Sequence, residues 1–483
     1  LSDTHCLFID GRPVCGGGRG TLPVVNPATT QACAELTCAT DQDADKAAEA
    51  AAAAHGMWSQ SAPGERAAVL DAMAGKVDVH REEIAGQITL EQGKPFGEAL
   101  VELDGVSANL RYYAGIAKSF PFETVVGGGA ERHIREAAIG PVLIMNTWNF
   151  PVETITSHLA PALAAGCSAV VLANRDTPGS AATFFRAICE LDLPAGLVNL
   201  LMGRSSSLSR RLIAHPSMRH VSYTGSIDVG RKIAIDAASV LKRATLELGG
   251  LAPAIVLPGS DVADAAAAFG GKRFWNAGQV CTAPNCMYVN RNQYSEFVDK
   301  LATYADSLTL GDGFAAGTDL GPLANERRPA RMQDIVADAL SRGARMVTGQ
   351  SEAKSNSGYF WKPTVLADVH DDTLGMREEI FGPIALVRPF DDLESLIVNA
   401  NSSDIGLSGY VYGPDTAVAC DVAKRLDVGS VGANQMVTAF LDTPFGGVKN
   451  SGMGTIGGPR ALHEYLFPRL IATPNGGAVG GGS

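Results

Sequence analysis

The sequence predicts an α/β protein of two layers, each built on a parallel doubly wound sheet, preceded by a helical segment. Three observations predict it. The chain has 483 residues, more than one hydrophobic core accommodates. From residue 142 onward, short β-like runs alternate with helical stretches, the pattern of parallel strands joined by crossover helices. Hydrophobic residues make up 46% and charged residues 19%, ample apolar material for buried interiors.

The elements follow in order. Residues 43–55 are Ala-rich, 65–88 carry apolar residues at helical spacing, and 98–120 continue that spacing, so a helix is expected over each. Gly127, Gly128 and Gly129 then interrupt the chain before a β-like stretch at 132–135. Buried strands are expected at 142–145, 169–172, 198–201, 220–223 and 244–247, separated by helices such as 152–165 and 227–239. A second alternating series supplies strands at 254–257, 287–290, 345–347, 384–387, 407–412 and 430–432. The two layers join near Gly249 and Gly250, and the Gly- and Ala-rich tail at 472–483 is expected to be disordered.

Composition excludes several functions. A formal net charge of -12 would repel nucleic-acid phosphates and anionic lipid, so neither is an expected partner. No apolar run reaches the roughly 18 residues that span a bilayer. The longest, around 160–173, is broken by Pro161, Gly166 and Ser168. The first 13 residues contain Asp3 and Asp10 and do not read as a signal peptide. Nine cysteines, an odd number without any Cys-x-x-Cys pair, read as reduced thiols in a cytoplasm.

A few residues could carry chemistry. Cys281, in Asn276-Ala277-Gly278-Gln279-Val280-Cys281-Thr282, could be a nucleophile toward carbonyl carbon if partly exposed in this polar loop. The competing reading is a small buried hydrophobe. Glu247 ends an expected buried strand ahead of Gly249 and Gly250, where open α/β sheets place their sites. It could serve as general base if burial raised its pKa, or be an ordinary surface glutamate. Asn149, between a strand and a helix, could donate to a developing oxyanion or merely cap the helix that follows. Gly225-Ser226-Ile227-Asp228-Val229-Gly230 opens a helix after a strand, a place for a pyrophosphate, although Ile227 departs from the G-x-G-x-x-G fingerprint. No Walker loop, His-Glu-x-x-His or paired cysteine cluster points to a nucleotide triphosphate or a metal, and no metal site is expected.

Taken together these segments resemble the aldehyde dehydrogenase superfamily. The resemblance runs in order from Val24-Val25-Asn26-Pro27 to Tyr465. It passes through Thr147-Trp148-Asn149-Phe150-Pro151, Tyr223-Thr224-Gly225-Ser226, Glu247-Leu248-Gly249-Gly250 and Gly278-Gln279-Val280-Cys281. Glu378-Glu379-Ile380-Phe381-Gly382-Pro383 and Pro444-Phe445-Gly446-Gly447-Val448-Lys449-Asn450-Ser451-Gly452 complete it.

That resemblance implies oxidation of an aldehyde to a carboxylic acid with NAD or NADP. Cys281 matches the nucleophile that forms a thiohemiacetal and then a thioester. Asn149, with the Cys281 backbone N–H, matches the oxyanion donors, and Glu247 the base that activates hydrolytic water. Gly225 and Ser226 match the turn near the pyrophosphate, Glu379 the carboxylate on the nicotinamide ribose, and Phe381 a ring beside the nicotinamide. Thr147, Trp148, Val229 and Leu248 match residues of the same cleft. The implied fold is a Rossmann-like cofactor domain (1–120 and 139–249), an α/β catalytic domain (250–450) and a small β-hairpin oligomerisation arm (121–138 and 451–471). A homodimer or homotetramer follows from the arm.

The sequence departs from the family at some positions. Leu172 and Arg175 stand where the family carries a Lys for the adenosine-ribose hydroxyls and a Glu that accepts from the 2′-hydroxyl. Leucine cannot donate a hydrogen bond, whereas arginine can pair with a phosphate. NADP is therefore expected to be tolerated or mildly preferred, with weaker cofactor binding, unless neighbours compensate. His158 replaces a Lys assigned to proton handling and could substitute near its unperturbed pKa of about 6.5. Thr147 replaces a proline and Leu251 a lysine, with no function attached to either.

The positions implied to line the aldehyde tunnel are Phe150, Thr154, Ser157, Val280, Thr282 and Phe445, which suits a medium-sized substrate with some polar character. Glu153, if it faced the tunnel, would disfavour a carboxylate tail. A CoA-acylating relative is one alternative, against which Glu247 argues, and a non-catalytic descendant is another.

Overall fold

The structure, a computed structural model, describes residues 4–126, 131–352 and 358–473. The Gly127-Gly128-Gly129 interruption lies outside the described residues, as does the expected tail from residue 474 on.

The chain begins with a hairpin of β1 (Leu7–Ile9) and β2 (Arg12–Val14). Its antiparallel register sets Leu7 against Val14 and therefore Cys6 opposite Cys15, and the two are joined as a disulfide. This corrects the expectation of reduced thiols throughout, and with it the cysteine argument for a reducing compartment. Cysteine spacing along the chain could not show it, because a hairpin opposes residues that no short motif links. Thr4–His5, Thr21–Val25 and Ala32–Thr37 form a further small sheet, strands that the helical reading of the first third missed.

Helix α1 (Asp41–Trp58) starts at a capping box between Thr40 and Asp43 and buries an alanine face. The single helix expected over 65–88 is two, α2 (Pro63–Val79) and α3 (Arg81–Gln92). The break is His80, at φ -97 and ψ 15, whose ring meets Glu83 and Glu190 at 3.1 and 3.0 Å. One residue outside helical geometry left the apolar periodicity legible on both sides, so the pattern concealed the break. Helix α4 (Phe96–Ser119) completes this segment and packs on α2. Strands β3 (Glu123–Val126) and β4 (Glu131–Ala138) follow.

The first large sheet is then laid down by β5 (Val142–Met145), helix α5 (Glu153–Ala165), β6 (Ala169–Leu172), β7 (Val198–Leu201), β8 (His220–Thr224), helix α6 (Ile227–Ser239) and β9 (Arg243–Glu247). The second contains β10 (Ala254–Val256), with helix α7 (Val262–Phe274) crossing to β11 (Cys286–Asn290). It adds β12 (Arg345–Thr348), β13 (Thr364–Ala367), β14 (Ile384–Phe390), β15 (Ser408–Tyr412) and β16 (Ser430–Ala433). The chain returns through β17 (Gly452–Met453) to β18 (Leu466–Thr473).

The eight-stranded order is β17-β9-β8-β5-β6-β7-β1-β2, with β9 to β7 parallel and both flanks antiparallel. The chain winds outward from β5 through β7, then returns to lay β8 on the other side of β5. That reversal opens a crevice beyond the carboxyl ends of β5 and β8, where doubly wound sheets bind ligands. The seven-stranded order is β12-β13-β14-β11-β10-β15-β16, parallel except for β12. Strand β13 was not anticipated. Separate buried clusters underlie the two sheets, one drawn from Leu7 through Leu248 plus Ala461 to Leu466, the other from Ala252 through Leu426. Strands β18, β4 and β3 form a third, antiparallel sheet in which Thr473 still pairs with Glu131, so residues 472 and 473 are strand rather than tail. Among the described residues, no helix is long and apolar enough to cross a membrane.

Candidate active site

Three segments distant in sequence meet at the crevice. After β5, the side chain of Asn146 holds the loop: its Nδ2 donates to the Pro151 carbonyl (2.8 Å) and its Oδ1 accepts from Asn174 N–H (2.9 Å). This presents Asn149, buried, with its Nδ2 donating to the Gln279 carbonyl at 2.9 Å. Asn149 is not a helix cap. The residue at the cap of α5 is Val152, without a side-chain bond, and Glu102 takes that office by accepting from Val152 and Glu153 N–H.

The loop is also gripped from behind. Lys94 Nζ donates to Glu102 Oε2 and to the Asn149 carbonyl, both at 2.8 Å, in a pair with no solvent exposure. Asn276 Nδ2 adds a second tie to that carbonyl at 3.1 Å, and Gln92 Nε2 holds Asn276 Oδ1 at 2.9 Å. The sequence reading missed Gln92, Lys94, Glu102 and Asn276. The dense polar string Glu91-Gln92-Gly93-Lys94 was the only signal, and it resembles any solvated helix end.

The second segment carries Cys281. Asn276, Ala277 and Gly278 all have positive φ (49°, 51° and 69°), a strained turn of the kind that persists only where surroundings enforce it. Gly278 is required, since a Cβ there would lie 2.3 Å from the Gly382 carbonyl oxygen. Buried Arg273 enforces the turn by donating to the carbonyls of Gly278 (2.7 Å), Pro284 (2.9 Å) and Gly382 (2.6 Å). Cys281 is half-buried and opens into the crevice. Burial, then the Glu247 and Glu379 carboxylates, push its thiol well above the usual range, with Lys272 opposing, so it rests as a thiol. Cys286, by contrast, is buried in β11 and does not line this cavity.

The third segment is the end of β9. Glu247 is buried, its Oε1 has no hydrogen-bond partner among the described residues, and its carboxyl is pushed up to about 8. Burial is the main cause, then the Glu379 charge, with contact to the Cys281 thiol offsetting part of the rise. The glycines that follow admit the neighbours. A Cβ on Gly249 would lie 2.5 Å from Glu379 Oε2, and one on Gly250 would lie 2.8 Å from the Cys281 carbonyl oxygen. The Pro444-to-Gly452 string acts here too: Glu247 pairs with Gly452 across β9 and β17, and Ser451 Oγ donates to the Gly249 carbonyl at 2.8 Å.

Asn149, Cys281 and Glu247 line one cavity of about 620 Å³ together with Thr147, Trp148, Phe150, Thr154, Gly225, Ser226, Leu248, Glu379 and Phe381. Arg175 and Val229 line a second, of about 690 Å³, which shares Thr147, Trp148, Thr224, Gly225 and Ser226 with the first. Val280, Thr282 and Phe445 are buried and Ser157 half-buried, and none of the four lines either cavity. The Thr154 and Ser157 hydroxyls are committed to the Phe150 and Glu153 carbonyls at 2.7 and 2.8 Å.

The joined cavities fit a dinucleotide. Ser226, at the start of α6, makes no side-chain bond to its helix, so the first-turn amides are left for another acceptor such as a pyrophosphate. Gly230 brings α6 onto the end of β9, since a Cβ there would lie 2.5 Å from a Leu248 methyl. Trp148 and Phe381 meet edge to face at 5.2 Å across the crevice, and Arg328 lies over Phe381 at 5.6 Å while donating to the Ile380 and Phe381 carbonyls, both at 2.6 Å. The Glu379 carboxyl, pushed up to about 7 by burial, faces the same space.

His158 behaves otherwise than expected. Fully buried, it meets Thr224 Oγ1 at 3.0 Å and the Tyr465 hydroxyl at 3.3 Å, and burial pushes it down to about 4. It is a neutral imidazole at neutral pH, which corrects the expectation of a proton carrier titrating near 6.5.

Residues 15–471 match the aldehyde dehydrogenase family. The chain belongs to that family. A 4-(hydroxymethyl)benzenesulfonate dehydrogenase from Comamonas testosteroni is 38% identical, over 96% of this chain and 97% of the relative. An NADP-dependent succinate-semialdehyde dehydrogenase from Schizosaccharomyces pombe is 34% identical, over 96% and 95%. Among solved structures, an aldehyde dehydrogenase from Pseudomonas syringae complexed with NAD+ and octanal superposes with a TM-score of 0.93 at 33% identity, covering 97% of this chain and 96% of that one. Lactaldehyde dehydrogenase from Escherichia coli gives 0.94 at 32%, covering 98% and 99%. As a member of this family, the enzyme oxidises an aldehyde to a carboxylic acid with NAD or NADP.

Proposed function

We propose that Cys281 is the nucleophile of this oxidation, Asn149 an oxyanion donor and Glu247 the general base. The observation that carries the reading is the convergence on one cavity, from three separate segments, of a thiol, a side-chain amide and a buried carboxyl whose Oε1 has no partner among the described residues. Cys281 rests protonated, and Glu247, adjoining it, accepts the proton as sulfur adds to the aldehyde carbon. The oxyanion so formed is held by Asn149 Nδ2, which releases the Gln279 carbonyl, and by the Cys281 backbone N–H. The bound nicotinamide supplies the acceptor for the hydride that leaves the same carbon. Cys281 then carries the acyl group as a thioester; Glu247 gives up the thiol's proton to solvent, takes a proton from the attacking water, and the Cys281 sulfur leaves the tetrahedral carbon and is reprotonated.

The cofactor is proposed to lie along the joined cavities, with Gly225 and Ser226 at the pyrophosphate and Glu379, Phe381 and Trp148 around the nicotinamide riboside. Residues 1–120 and 139–249 form the cofactor domain, 250–450 the catalytic domain, and 121–138 with 451–471 the oligomerisation arm. Leu172, Arg175 and Arg204 line the adenosine-side cavity, where Leu172 offers no hydrogen bond and the two arginines favour acceptance of a 2′-phosphate. Exposed Val125, Leu470 and Ile471 on the arm sheet support a homodimer or homotetramer. An aldehyde panel assayed with NAD and with NADP, in the presence and absence of CoA, tests the activity, with light scattering for the assembly. Acid production needing no CoA, and lost in Cys281→Ser, supports the reading. An acyl-CoA product, or oxidation surviving in Cys281→Ser, overturns it.

A further inference from the structure

The two cavities that fit the dinucleotide meet along Thr147, Trp148, Thr224, Gly225 and Ser226, which line both. A dinucleotide is two nucleotide halves joined by a pyrophosphate, so the junction of the halves falls at the junction of the cavities. None of these residues is charged, and Asp228, on the first turn of α6, is paired with Arg231 at 3.5 Å. At the junction itself, only neutral donors can meet the anion. Several of those donors are already engaged. The Gly225 N–H donates to the Glu247 carbonyl at 3.0 Å and the Ser226 N–H to the Tyr223 hydroxyl at 3.2 Å, while the Thr224 hydroxyl meets the His158 ring at 3.0 Å. Thr147 differs. It is half-buried, and neither its N–H nor its hydroxyl forms a hydrogen bond among the described residues. Its carbonyl, by contrast, accepts from Asn146 Nδ2 at 3.3 Å.

We propose that Thr147 is a ligand of the cofactor's pyrophosphate, to which it donates through both its N–H and its hydroxyl. This rests on the placement of the cofactor along the joined cavities and adds a contact within it. Both donors arise from the departure at this position, since the family's proline has neither an N–H nor a hydroxyl. The gain answers a loss nearby: Leu172, where the family has a lysine, lines the adenosine-side cavity without a donor. Hydrogen bonds to a charged acceptor are about twice as strong as neutral ones, so two at the pyrophosphate offset one missing at the ribose. The donors are also held in place in advance. Asn146 ties the loop at the Thr147 and Pro151 carbonyls and at the Asn174 N–H, so little ordering is left for the cofactor to impose. NAD and NADP share the pyrophosphate, so Thr147 strengthens both equally and leaves the choice between them to the adenosine end.

The test is calorimetric titration of ADP-ribose, NAD and NADP into the wild type, Thr147→Ser, Thr147→Val and Thr147→Pro, with a thermal melt of each protein. ADP-ribose carries the pyrophosphate without the nicotinamide, so its affinity is read apart from turnover. Thr147→Val keeps the shape and the N–H but loses the hydroxyl, and is expected to raise the Kd of all three ligands by about tenfold. Thr147→Ser keeps both donors and is expected to stay within about twofold of the wild type. Thr147→Pro has neither donor and is expected to lose about a hundredfold. ADP-ribose bound equally by the wild type and Thr147→Val, or a loss in Thr147→Ser as large as in Thr147→Val, overturns the role of Thr147 and leaves the cofactor placement intact. Failure of the wild type to bind any of the three ligands overturns both. Should Thr147→Pro not fold, the contrast of Thr147→Val with Thr147→Ser decides.

Discussion

The two ends of the cleft are built differently. At the reacting end, Asn149, Cys281 and Glu247 sit on segments pinned by Lys94, Arg273 and Ser451, each anchor buried and each donating to a backbone carbonyl of the site or its supporting loops. At the adenosine end, the Arg175 side chain is 58% exposed, and its ion partner Asp176, 3.6 Å away, is shared with Arg327 at 3.0 Å. A displacement of about an ångström at a reacting centre costs orders of magnitude in rate, whereas a binding site tolerates looser geometry. Of the departures from the family pattern, Leu172 and Arg175 fall at the looser end, whereas Thr147 lines the reacting cavity and His158 is buried against Thr224 of its wall.

The comparison can be broken from its rigid side first. Cys281→Ser is expected to lower kcat by about ten-thousandfold or more and to abolish the NAD(P)H burst at stoichiometric enzyme. A surviving burst would move the nucleophile elsewhere. Glu247→Gln is expected to cut steady-state turnover by about a thousandfold and to slow the NAD(P)H burst as well, since Glu247 serves both the attack of the thiol and the hydrolysis. The wild-type rate should rise with pH through about 8 as Glu247 loses its proton, and the variant should lack that limb. Stability carries the opposite sign. A carboxyl whose folded pKa is raised binds its proton more tightly when folded, so stability falls as pH rises from about 4.3 toward the folded value. Thermal melts on either side of that window should show a shallower decline for Glu247→Gln. Asn149→Ala is expected to lower kcat by about a hundredfold with a smaller change in KM, and an effect confined to KM would make the amide a binding group only. The smallest effect belongs to the open end: Arg175→Glu is expected to shift the NADP-to-NAD ratio of kcat/KM by about tenfold toward NAD, leaving kcat unaltered.

Much of the fold was legible before the structure. Strands β5, β6 and β7 occupy the residues expected of them, because a buried parallel strand is largely hydrophobic on both faces; Asn199 in β7 is the exception, its amide donating to the Ala169 and Gly196 carbonyls. Glu247, Asn149 and Cys281 stood out because each lies in a short string whose order along the chain resembles the family. The supporting residues did not. Lys94 and Glu102 look like surface charges on a helical segment, and only the packing of α4 against α5 shows them to be a buried pair holding the Asn149 loop. The break at His80 and the Cys6–Cys15 bridge were missed for a related reason, since one is a single residue within a continuing pattern and the other a pairing made by a hairpin.

Local pattern determined where most strands and helices of the two large sheets run, and the order of short strings which of them carry the reacting groups, because hydrophobic period and turn chemistry are written residue by residue. Tertiary structure decided what those groups are. That His158 is neutral, that Glu247 keeps its proton to about 8 and that Asn149 faces the Cys281 loop all depend on desolvation and charge from residues far away in the chain. Those forces act through space, and only the folded chain sets the distances.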